Sequence, residues 1–122
     1  VRALALAALL ASCAAPPTHV QTTLYLGRAI PAGGVVDDRA VEVFVADTVA
    51  RHLPAGFTLI AGTGGWRDTG TGRTITEPTL VLIVLHPSGE RGPVEAVARA
   101  WAERFGQQSV LRVELPVSDL RF

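Results

Sequence analysis

Cysteine occurs once in these 122 residues, lysine and methionine do not occur, and aromatic residues make up only 6%. A single cysteine excludes an intramolecular disulfide and also a thiolate metal cluster, which needs several sulfur ligands at short spacing. The three histidines, His19, His52 and His86, stand far apart with no H-E-x-x-H or comparable spacing, so the sequence indicates no metal. All eleven basic residues are arginines, and eleven acidic residues balance them to a formal net charge of zero. With no basic stripe or charge run, nucleic acid is not expected as a partner. There is no G-x-S-x-G elbow, and Ser88 and Ser109 fall at element starts where serine serves as a cap or turn residue. The run Gly62-Thr63-Gly64-Gly65 lacks the Gly-Lys-Ser/Thr that completes a phosphate loop, so it reads as a strand bulge and no cofactor is indicated.

The one cysteine lies in Leu9-Leu10-Ala11-Ser12-Cys13-Ala14-Ala15, directly after a small-apolar run from Ala3 to Ala11 that follows Arg2. That run is too short for a bilayer-spanning helix, which needs about 20 apolar residues, and it has the layout of a secretory signal. Leu10-Ala11-Ser12-Cys13 resembles the lipobox of bacterial lipoproteins, in which the leader is removed before an acylated cysteine. The expectation is a signal peptide over 1–12, a lipidated linker over 13–19 stiffened by Pro16-Pro17, and a single domain over 20–122. Cys13 is then the lipidation site and the membrane the first partner. Ala14 in the next position points to the periplasmic side of the outer membrane, the alternative being a secreted or periplasmic protein.

Val20 to Gly27 alternates as a strand, with Val20, Leu24 and Leu26 on one face and Gln21, Thr23 and Tyr25 on the other. Asp37 is placed to cap a helix whose apolar stripe is Val41, Phe44, Val45, Thr48 and Val49, ended by Pro54-Ala55-Gly56. A second strand begins at Phe57, resumes at Gly64 after the glycine interruption, and turns through Asp68 to Arg73. Thr79 to Leu85 is apolar on both parities and reads as a central strand. A second helix over Pro93 to Phe105 carries Val94, Val97, Ala98, Trp101 and Phe105 on one stripe, an outward Glu95–Arg99 pair, and Gly106 as its stop. The last strand runs from Ser109 to Val117, with Leu111, Val113, Leu115 and Val117 inward. Strand, helix, strand, strand, helix, strand predicts an α+β, ferredoxin-like βαββαβ sandwich: a four-stranded antiparallel sheet, first and third strands central, both helices on one face.

The stretches Thr23-Leu24-Tyr25-Leu26-Gly27-Arg28, Gly65-Trp66-Arg67, Glu77-Pro78 and Phe105-Gly106-Gln107-Gln108-Ser109-Val110-Leu111 occur in that order. Together they resemble the bacterial family called domain of unknown function 3574, described as lipoproteins or secreted proteins, from about Thr22 to the C-terminus. The chain departs from the family pattern at Gly65, where Gln is frequent, and at Val41, where an aromatic residue is frequent. The resemblance supports the fold and an envelope location and implies no activity.

In the expected topology Arg28, Trp66, Arg67, Glu77, Gln107, Gln108 and Ser109 converge on one end of the sheet. As a ligand site, Arg28 and Arg67 would clamp a carboxylate-bearing or otherwise polar ligand, Trp66 would stack, and Glu77 is the one candidate general base. As structure only, Arg67 would pair with Glu77 while Trp66 lids the core. The open sheet face carries one apolar row of the third strand with Tyr25, Ile60 and Val110, plus Arg112 and Glu114, and is expected to form a homodimer. The principal functional expectation is a non-catalytic envelope binding domain; the alternative is a small cofactor-free enzyme acting on a small polar organic substrate.

Overall fold

The computed structural model describes residues 13–122, so the expected signal peptide over 1–12 lies outside the described residues. Its elements are β1 (His19–Gly27), α1 (Asp38–Phe44), a π-helical segment (Val45–Val49), α2 (Ala50–His52), β2 (Thr58–Arg67), β3 (Thr74–Pro87), α3 (Gly92–Phe105) and β4 (Leu111–Val117). The four strands form one antiparallel sheet in the order β2-β3-β1-β4, which puts β1 and β3 in the centre as expected. The fold is α+β. It follows the ferredoxin-like pattern loosely, because the first helix is a composite and the β2–β3 ribbon overshoots the sheet.

Asp37 caps α1 as expected: its carboxylate accepts from the Ala40 N–H at 2.8 Å. The helix then widens into the π segment, where the Ala50 N–H reaches back to the Val45 carbonyl. Phe44, Thr48 and Val49 are still buried, so the apolar stripe survives the change of pitch. On the second helical element Val94, Val97 and Trp101 are buried, and Gly106 closes α3 in the left-handed conformation, φ 64°. Glu95 pairs not with Arg99 but with Arg112 of β4, at 2.8 Å.

Strand parity divides the molecule. Val20, Thr22, Leu24 and Leu26 of β1, with Leu80, Leu82, Val84 and His86 of β3, are buried on the helix side. Three expectations about strands are corrected here. The glycine run makes no bulge: β2 and β3 keep one unbroken register from Thr58↔Ile83 to Arg67↔Thr74. β3 starts at Thr74 instead of Thr79, so residues 63–67 and 74–78 project as a two-stranded ribbon beyond the last β1–β3 pair, Gly27↔Thr79. In β4 the expected inward row is outward: Leu111, Val113 and Leu115 lie opposite Tyr25, Thr23 and Gln21 on the open face. Arg112 and Glu114 therefore point to the helix side, where Glu114 takes Arg91 and Arg112 takes Glu95, and Val110 packs into the core. The charged row of β4 thus meets its ion-pair partners at the start of α3.

Trp101 is the centre of the core. It is fully buried, meets Phe44 edge-to-face at 5.1 Å and Phe105 at 4.5 Å, and donates from Nε1 to the Gly27 carbonyl at 3.1 Å. Replacing it by Phe removes that hydrogen bond and leaves a void. We expect Trp101→Phe to lower unfolding free energy by about 2–3 kcal/mol in urea titration; a change within about 0.5 kcal/mol would contradict the packing described.

Candidate functional site

The open face holds Gly62 and Gly64 on β2 and Gly27 on β1, neighbours of Thr79 and Glu77 on β3. Glycine weakens a strand interior and marks places where something approaches the backbone closely. Here the approaching groups are first of all the protein's own. A Cβ on Gly64 would stand 2.9 Å from the Thr79 hydroxyl, and one on Gly27 would stand 3.4 Å from Glu77 Oε1. The Glu77 carboxylate thus leans over Gly27, and the Thr79 hydroxyl over Gly64.

Two shallow recesses flank Glu77. One, about 350 Å³, is lined by Tyr25, Gly27, Glu77, Thr79, Gln107 and Leu111. The other, about 460 Å³, includes Ile30, Pro31, Trp66, Glu77, Gln107 and Gln108. Ser109 borders both. Gln107 is held by two bonds: its backbone N–H donates to the Ala102 carbonyl, and its Nε2 donates to the Ala29 carbonyl at 2.7 Å. Among the described residues no ion pair engages Glu77, which is the only charged residue in either lining.

Of the seven residues expected to converge, five do: Trp66, Glu77, Gln107, Gln108 and Ser109 border one recess. The two arginines do not join them. Arg28 follows Gly27 and so has the opposite parity; its Nε donates to the Val36 carbonyl at 2.7 Å and its guanidinium meets Asp38 at 2.8 Å. Arg67 sits opposite Thr74, on the other side of the ribbon from Trp66 and Glu77, with its guanidinium beside Gly72. The expected Arg67–Glu77 pair and the two-arginine clamp are therefore absent among the described residues, for a reason of parity. Sequence reading missed Tyr25, Gly27 and Thr79; the available signal was the row of glycines at alternate positions, taken there for a bulge.

The perturbed carboxylates lie elsewhere. Asp47 is held below the usual aspartate range by the Thr48 hydroxyl and then by Arg104, Asp68 by the backbone N–H of Gly70 and by Thr71, and Glu114 by Arg91. Each is explained by a structural partner. A third recess, about 260 Å³, lies at the opposite end of the sheet between Leu53, Val84, His86, Glu90 and Pro93. Its buried histidine is fully engaged: Nδ1 donates to the Pro87 carbonyl at 2.8 Å, which leaves Nε2 to accept from the Thr22 hydroxyl at 2.8 Å. No group of three or more His, Cys, Asp or Glu side chains among the described residues is placed to hold a metal.

A family model described as a protein of unknown function, DUF3574, matches residues 21–120. Comparison with curated proteins finds no match. Among solved structures, a phage SAM lyase in complex with S-methyl-5'-thioadenosine is similar with a TM-score of 0.60 at 17% identity, covering 82% of each chain. A phage SAM lyase in the apo state is similar with a TM-score of 0.51 at 19% identity, covering 84% of this chain and 92% of that one. At such identities the likeness shows the fold. The principal functional expectation, a non-catalytic binding domain, is corrected on this finding: both of these similar solved chains are those of an enzyme.

The recess floor makes a prediction of its own. Gly64→Ala forces Thr79 to move and is expected to cost about 1 kcal/mol or more. Adding Thr79→Ala removes the opposing hydroxyl and recovers most of that loss in a double-mutant cycle followed by urea unfolding. Strictly additive costs would show that the two positions do not touch.

Proposed function

The chain belongs to the family of unknown function DUF3574, and from that premise and the site geometry we propose that it is a small cofactor-free enzyme acting on a small polar organic molecule at Glu77. The observation that carries this reading is one carboxylate without an ion-pair partner among the described residues, set over a glycine floor and ringed by amide and hydroxyl groups. The recess volumes, about 350 and 460 Å³, fall in the range that suits a small ligand. The phage SAM lyase supports an enzymatic reading and, within it, a lyase. A lone carboxylate fits such chemistry: Glu77 takes a proton from the substrate while the bond to the leaving group breaks, and gives it up to water once the products have left. Gln107, Gln108 and Ser109 supply donors to orient the substrate, and the Thr79 hydroxyl borders the base.

The open face supports a second copy of the chain as its cover. Leu111 is 63% exposed, Leu115 54%, Ile60 49% and Tyr25 40%, a larger apolar area than a monomer usually presents, and its one charge is Glu77 at the margin. A symmetric partner would bury this face and wall the recess from water. Arg112 and Glu114, bound to α3, take no part in that contact. Cys13 is exposed, so its thiol is accessible for acylation, which supports the reading of a lipid anchor on Cys13 in a bacterial envelope.

Three outcomes are expected. Glu77→Gln keeps the shape and removes the base, so turnover of whichever metabolite the wild type consumes in a small-molecule extract falls about 10²–10⁴-fold with unchanged melting temperature; equal consumption by both proteins would overturn the assignment. Light scattering at micromolar concentration gives twice the chain mass, and a clean monomer would refute the second copy. Mass spectrometry of the native N-terminal peptide shows an acylated Cys13, and an unmodified thiol would refute the anchor.

A further inference from the structure

The recess was expected to hold a carboxylate-bearing or otherwise polar ligand between two guanidiniums, and the structure leaves it a carboxylate instead. Every arginine expected beside it is turned away: Arg28 is tied to Val36 and Asp38, and Arg67 lies across the ribbon. Arg112, the nearest basic residue on β4, is taken by Glu95 and Glu114 on the helix side. What is left facing the recesses is one carboxylate and two exposed aromatic rings. Glu77 lies opposite Gly64, and Trp66 is two positions further along β2 on the same face, opposite Ile75. Tyr25 lies opposite Val81 on that face and borders the other recess that Glu77 borders. Trp66 is 52% exposed, so its ring face is available and is not spent on the core.

From this arrangement we propose that the substrate is an organic cation of the quaternary ammonium or sulfonium kind, held on the ring face of Trp66 and countered by Glu77. Such cations are weakly hydrated, leave water readily for an aromatic face, and gain from an adjacent carboxylate that no other cation neutralises. An anion would meet the Glu77 carboxylate and, among the described residues, no guanidinium in either lining. A cationic centre also makes chemical sense beside a carboxylate base. A positively charged nitrogen or sulfur is a good leaving group, because it departs as a neutral amine or thioether with no proton to be supplied to it. When Glu77 removes a proton from the carbon beside the bond that breaks, the C–H electron pair forms the new double bond and the C–N or C–S pair leaves with the heteroatom. No oxidant or further reactant is needed. The inference rests on the enzymatic reading above for this step, but the recognition of a cation stands on geometry alone.

The test compares isosteres that differ only in charge, by isothermal titration calorimetry on the whole protein. Choline is set against 3,3-dimethylbutan-1-ol for ammonium, and S-adenosylmethionine against S-adenosylhomocysteine for sulfonium. We expect at least one cation to bind tenfold or more tightly than its neutral partner. Glu77→Gln and Trp66→Ala should each remove that preference, and circular dichroism should show both variants folded, since neither side chain is in the core. Neutral partners that bind as well as the cations, or no binding of either cation below about 10 mM, would overturn the proposal. The two readings fail separately. A neutral metabolite consumed by the wild type and spared by Glu77→Gln leaves the enzyme and removes the cation; a charge-dependent ligand that is never consumed leaves the cation and removes the enzyme.

Discussion

The indole N–H of Trp101 donates to the carbonyl of Gly27, and the geometry of the open face follows from where that bond stands. The Arg28 N–H donates to Pro78 on the β3 side, so the Gly27 carbonyl, at the other end of the same peptide, points toward β4. The β1–β4 ladder has already stopped at Tyr25↔Leu111. Beyond that pair β1 has carbonyls without a strand to bond them, and an unpaired buried carbonyl costs about 1–3 kcal/mol. Trp101 bonds the one at Gly27, and Gln107 bonds the next with the same direction, at Ala29. The end of α3 thus does the work of a missing stretch of β4. Because a helix end and its following loop replace a flat strand, the sheet margin becomes concave there, and Gln107 and Ser109 form a wall instead of a continuing ladder.

The same constraint connects the core to the candidate site. Trp101, Phe44 and Phe105 pack as one aromatic group beneath β1, with the Arg104 guanidinium over Phe44 at 5.0 Å. Arg104 also holds Asp47 in the π segment, so the widened turn of the first helix is fastened to α3. A shift of α3 along its axis would move the Trp101 and Gln107 donors together and open the wall of the recess. Glu77 is positioned from the opposite side, by the β2–β3 ribbon, where Gly64 and Gly27 leave room for it. The site is therefore assembled from two parts of different character: a wall fixed by the buried core and a carboxylate carried on a projecting hairpin.

Periodicity made most of the fold legible in the sequence. The alternation in β1, the two helical stripes, Asp37 as a cap and Gly106 as a stop all reflect local physics, and each is found in the structure. Apolar residues on both parities of Thr79 to Leu85 placed β3 in the centre of the sheet. What was not legible is which face a strand turns inward when both faces are chemically plausible. In β4, Leu111, Val113 and Leu115 look like a core row, yet they face outward, and Glu114 and Arg112 face the helix side, where they pair with Arg91 just before α3 and with Glu95 on it. That pairing joins residues far apart in the chain and leaves no local mark. For the candidate site, convergence of strand ends was readable from topology, which brought Trp66, Glu77, Gln107, Gln108 and Ser109 together. The arginines were misplaced because being at the same end of a sheet is not being on the same face; Arg28 and Arg67 each have the parity opposite to Glu77.

The proposed function requires that a small polar ligand bind at the Glu77 recess and not at the histidine-lined recess at the other end of the sheet. Backbone amide mapping by NMR addresses it most directly. Isotope-labelled protein is titrated with fractions of small polar metabolites, and the amides that shift are located on the fold. The account predicts perturbations gathered at Gly27, Gly64, Glu77 and Gln107, with the core amides of α3 unmoved. Perturbations gathered at Leu53, His86 and Glu90, with the glycine floor silent, would contradict it.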